Sequence, residues 1–71
     1  MASFRAADLI QAALRLGFVL DRKKGSHAVY VRGNERVLVI PVHGARTIKP
    51  KTLAGILSDL GINIDELRKL L

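Results

Sequence analysis

Apolar and polar positions along the chain change period twice. Ala6, Leu9, Ile10, Ala13 and Leu14 recur three and four residues apart, one stripe of an amphipathic helix. The spacing predicts a helix from about Phe4 to Leu16, with Ser3 as its N-cap. Gly17 suits the left-handed position past its end, and Phe18 can then fold back on the last turn. From Phe18 the period shortens. "FVLDRKK" reads as a strand, Gly25-Ser26 as a turn, and "HAVYVR" as a second strand. Gly33-Asn34-Glu35 reads as a short hairpin turn before a third strand, "RVLVIPV". Pro41 has no N–H for a ladder, so this strand belongs at a sheet edge. An apolar edge invites pairing unless covered, which predicts a protein partner or self-association. After the loop "HGARTIKP" the helical period returns in "PKTLAGILSDL", with Pro50 in the first turn and Gly61 as the stop. Asn63 with Glu66 three residues on is a capping-box start for a short last helix, Ile64 to Leu71.

The predicted order is α-β-β-β-α with a small extra helix, an α+β fold in one domain spanning residues 1–71. A three-stranded antiparallel meander between two helices places both helices on one sheet face and leaves the other partly open. This order resembles that of double-stranded-RNA-binding domains, which read shape and phosphates. Strand alternation puts His27 with Val29 and Val31, at the rim of the packed face, unless a bulge turns it outward. Ala28, Tyr30 and Arg32 then point outward, where the Tyr30 ring can stack on a base or simply cover the sheet.

Composition sharpens this picture. At 71 residues the chain has a thin stability margin, but an apolar share of 49% supports a core. There is no cysteine, hence no disulfide framework, which fits a reducing cytosol. No apolar run approaches the roughly 18 residues of a membrane span, and Met1 to Arg5 carries no signal-peptide core. A cytoplasmic protein without membrane contact is expected. The net charge of +6 is regional: eight Lys/Arg face one acid between Arg22 and Lys51, while the remainder sums to −1. A basic middle of this kind fits a polyanion partner.

The six carboxylates are scattered, and the two histidines show no HxxxH or HxH spacing, so neither a metal nor a cofactor is expected. No glycine-rich nucleotide loop occurs either. One reaction needs little equipment, because RNA carries its own nucleophile in the 2′-hydroxyl beside each phosphodiester. An imidazole can take that proton or protonate the leaving 5′-oxygen, and neighbouring cations can steady the phosphoryl oxygens. "RKKGSH" supplies both: His27 as general acid/base, beside Arg22, Lys23 and Lys24, with Gly25 and Ser26 in the turn. Lys49 and Lys51 add candidate RNA contacts from the second half, as does Tyr30. His43 is expected to hydrogen-bond to the loop backbone. Two other readings share these residues: a non-catalytic double-stranded-RNA-binding module, and a protein-interaction domain built on the "RVLVIPV" edge.

Several blocks in order then carry a resemblance: Gly17-Phe18, Lys24-Gly25-Ser26-His27, Val42-His43-Gly44, and Ile48-Lys49-Pro50 with Thr52-Leu53. From Leu9 to about Ile62 the chain resembles the HicA family of type II toxin–antitoxin toxins. The resemblance implies a double-stranded-RNA-binding-like fold and metal-independent endoribonuclease activity on mRNA, with His27 catalytic. It also implies neutralisation by a HicB-type antitoxin, through which alone DNA is contacted. Many members carry a second histidine directly after the first, a position held here by Ala28.

Overall fold

The computed structural model describes residues 3–34, 36–44 and 46–71. Met1, Ala2, Glu35 of the predicted second turn and Ala45 of the predicted loop lie outside the described residues. The elements are α1 (Ala6–Arg15), β1 (Val19–Lys24), β2 (His27–Arg32), β3 (Arg36–Pro41), α2 (Pro50–Leu60) and α3 (Ile64–Lys69). The fold is α+β, an α-β-β-β-α order with a three-stranded antiparallel sheet and a short C-terminal helix.

Helix ends follow the local chemistry, with corrections at the start of α1 and at the end of α3, which stops at Lys69 rather than Leu71. α1 starts two residues later than the periodicity predicts, and its cap is Arg5 rather than Ser3. Arg5 is extended because it bridges to Thr47, and its N–H donates to the Asp8 carboxylate at 2.9 Å. At the other end Gly17 takes a φ of 92°, and Phe18 N–H donates to Ala13 C=O at 3.0 Å while Gly17 N–H reaches Leu14 C=O at 3.1 Å. These two bonds satisfy carbonyls that a helix end leaves unpaired. They also hold Phe18, so β1 begins at Val19. The predicted capping box of α3 is present: Glu66 N–H donates to Asn63 Oδ1 at 2.8 Å, and Asn63 N–H to Glu66 Oε1 at 3.0 Å.

The sheet order is β1-β2-β3, so β3 lies at an edge as Pro41 requires. Which face the helices cover is the reverse of the expected one. Ala28 and Tyr30 of β2 pair with Ile40 and Leu38 of β3, and all four join residues of α1 and α2 in one buried cluster. Tyr30 is only 6% exposed. The opposite face carries Val29 against Val39 and Val31 against Val37, with His27 against Pro41. Both faces of the hairpin are apolar, so alternation alone cannot choose between them. Packing can: Ala28 is buried with Tyr30 in the core cluster, where Leu38, Ile40 and Phe18 are almost completely enclosed. β-Branched valines suit the pleated outer face, where Val19, Val37 and Val39 remain exposed.

A bulge refines the edge strand. The β1–β2 register shifts between Leu20 and Arg22, so Leu20 faces Tyr30 but Arg22 faces Val29 and Lys24 faces His27. Uninterrupted alternation would group Arg22 and Lys24 with Leu20. The extra residue, Asp21, instead moves both cations to the His27 side. Among the described residues no helix is long and apolar enough to cross a membrane.

Candidate functional site

His27 is the first residue of β2 and follows a two-residue turn, Gly25-Ser26, that closes the β1–β2 hairpin. Gly25 has a φ of 58°, and no non-glycine residue has a positive φ among those described, so the φ of Ser26 is negative. That combination is the pattern of a type II′ turn, which demands glycine first. The turn is pinned to the next strand by Val42 N–H donating to Ser26 C=O at 2.6 Å. Backbone geometry thus fixes where the imidazole starts, while its own side chain stays exposed.

Past Pro41 the chain leaves the sheet at His43 and folds across the same end of the molecule. Arg46 N–H donates to His43 C=O at 3.3 Å, closing the loop. Thr47 bridges to Arg5, and Ile48 N–H donates to Phe4 C=O at 2.7 Å, so the segment is tied back to the entry of α1. Ile48 is buried, which leaves Lys49, the extended N-cap of α2, on the outside. The product is a cleft of about 510 Å³ whose walls include His27, Pro41, His43, Arg46, Lys49 and Thr52. This lies within the common size of ligand sites, roughly 300–1,000 Å³.

The residues proposed from sequence therefore fall into four groups. His27 and Lys49 line the cleft, and Lys24 stands beside His27 across the hairpin. Arg22 shares the same sheet face, with its guanidinium 3.3 Å from the Asp21 carboxylate in an exposed ion pair. Gly25 and Ser26 form the turn itself. Lys23 pairs with Ala28 and so projects toward the other face, and Lys51 lies exposed in the first turn of α2, outside the cleft lining. Tyr30 is the clear correction: its ring is part of the core and is not presented for stacking on a base.

Two residues gain importance that the sequence did not assign them. Arg46 was only one charge among eight, and the loop carries it into the cleft. His43 was expected to bond to the loop backbone. Its carbonyl does so, but among the described residues its imidazole makes no side-chain hydrogen bond and lines the cleft with His27. Among the described residues no three His, Asp or Glu side chains converge as a metal site would require.

The cleft can do two things. Arg46 and Lys49 offer a cationic wall for phosphate, with Lys24 beside His27 across the hairpin, and the exposed imidazole offers a proton acceptor or donor within the cleft. Residues 6–62 match the family model described as the HicA toxin of bacterial toxin–antitoxin systems. Comparison with curated proteins finds no match.

Proposed function

Because the chain belongs to the HicA toxin family of bacterial toxin–antitoxin systems, we propose that it is a metal-independent endoribonuclease that cuts mRNA with His27 as general acid/base. The observation that carries this reading is the exposure of His27 in a cleft walled by Arg46 and Lys49. A polymer can reach that ring. The phosphodiester is held by the cations, whose charge offsets the negative charge gathering on the phosphoryl oxygens. The 2′-hydroxyl attacks the adjacent phosphorus, and proton transfer through an imidazole contributes about 10²–10⁴-fold. DNA lacks that hydroxyl and is not a substrate.

The partner is an antitoxin of the HicB type. The exposed valines Val19, Val37 and Val39, on the sheet face that carries His27 and with Val39 lining the cleft, support a protein cover on this face rather than permanent contact with water.

Purified His27→Ala protein and the wild type, incubated with end-labelled RNA, test the function. The wild type is expected to release fragments ending in 2′,3′-cyclic phosphate, with EDTA present or absent. His27→Ala is expected to retain the fold and most RNA affinity and to lose cleavage. Undiminished cleavage by His27→Ala removes the mechanism, loss of wild-type cleavage on chelation brings back a metal, and binding without cleavage by the wild type makes the protein an RNA-binding module.

A further inference from the structure

Internal transesterification of RNA moves two protons, and the cleft holds two imidazoles. Taking the ribonuclease reading above as its premise, we propose that His43 is a second catalytic residue, sharing the reaction with His27 as an acid–base pair.

The sequence separates these residues by a whole strand and more, yet the fold brings them to one place for identifiable reasons. His27 pairs with Pro41 at the end of the β2–β3 ladder. The Val42 N–H is bound to Ser26 C=O, which ties the residue before His43 to the residue before His27. His43 is the next residue along, and the loop closed by its carbonyl returns Arg46 and Lys49 to the same cleft. The side chain is exposed, lines the cleft, and among the described residues has no hydrogen-bond partner of its own. The charged groups around the pair are Lys24 from β1, Arg46 from the loop and Lys49 from the start of α2.

The step balances without an outside reagent. A neutral imidazole takes the proton from the 2′-hydroxyl as its oxygen forms a bond to phosphorus. The other imidazole, protonated, gives its proton to the 5′-oxygen as the phosphorus–oxygen bond to that atom breaks. The products are a 2′,3′-cyclic phosphate and a free 5′-hydroxyl. Proton exchange with solvent restores the two rings. No water is consumed, and no other group in the cleft need carry a proton.

The test uses the leaving group. The cleavage site is first mapped on an RNA with the wild-type protein. The same RNA is then made with sulfur replacing the bridging 5′-oxygen at that linkage, because a thiolate departs without being protonated. His43→Ala and His43→Gln should cut ordinary RNA about 10²–10⁴-fold more slowly than wild type, with unchanged circular dichroism. One of the two losses, that of His27→Ala or that of His43→Ala, should largely disappear on the sulfur substrate while the other persists. The repaired variant is the one that lacks the acid. His43→Ala at the wild-type rate overturns the pair while leaving the His27 reading intact, as does repair of neither variant or of both. Wild-type protein that cuts no RNA overturns both proposals together.

Discussion

Replacing Arg32 tests how the fold divides its positive charge. Arg32 sits at the far end of β2 from His27, about 17 Å away at the rise of a strand. Its Nη1 donates to the C=O of Leu16 at 2.9 Å, and its guanidinium lies 4.7 Å from the centroid of the Phe18 ring. It therefore binds the C-terminal end of α1, where the backbone carries partial negative charge, to the middle strand. A hydrogen bond from a charged donor contributes about 1.5–3 kcal/mol, and the cation–ring contact about 0.5–1 kcal/mol. Water reaching the Leu16 carbonyl in the variant recovers part of this, so Arg32→Ala should cost about 2 kcal/mol. For a domain of this size that is a drop in Tm of about 8–16 °C. Thermal and urea unfolding followed by circular dichroism measure it. A double-mutant cycle with Phe18→Leu should give a coupling of about 0.5–1 kcal/mol. RNA affinity under native conditions should not change. Stability within about 0.5 kcal/mol of wild type, or a loss of RNA affinity matching that of Lys49→Gln, would refute the structural assignment of Arg32.

Three further outcomes are expected. Lys49→Gln should weaken RNA binding and reduce the slope of log K against log salt by about 0.7, one single-strand phosphate contact; an unchanged slope in a filter-binding titration removes Lys49 from the interface. Tyr30→Leu, which removes the aromatic face, should lower stability but leave the RNA affinity of the folded protein unchanged, because the ring is enclosed by the core; a clear loss of affinity without loss of stability would return Tyr30 to the RNA face. Gly25→Ala should lower the urea midpoint by an amount worth about 1 kcal/mol, purely through the left-handed backbone, since a Cβ there meets nothing within 4 Å. An unchanged midpoint would mean that the turn adapts freely.

The elements were legible because their signals are local. The three- and four-residue spacing of α2, with Pro50 and Gly61 at its ends, matched Pro50–Leu60 to the residue. The Asn63–Glu66 box matched because both partners lie within one turn. The misreadings have non-local causes. Ser3 lost the cap to Arg5 through a bridge to Thr47, a residue on the other side of the sheet in sequence. Tyr30 and His27 exchanged faces because both faces of "HAVYVR" are apolar enough to be buried. The shift at Asp21 changed the side of Arg22 and Lys24 with no glycine or proline to announce it.

By itself, the amino-acid sequence determined the order and type of the elements, the family, and the presence of an imidazole after a basic turn. These depend on residues close together along the chain or on blocks in a fixed order. Only the tertiary structure decided which cations lie at the same end of the molecule as that imidazole. Arg32 and Arg36 face each other across β2 and β3 and donate to the carbonyls of Leu16 and Asp59, at the ends of two helices. Arg46 and Lys49 line the cleft instead, and Lys24 stands beside His27 at that end of the sheet. Charge counted along a chain has no direction, whereas an antiparallel strand sends its two ends to opposite edges of the molecule, and that separation divided the basic segment.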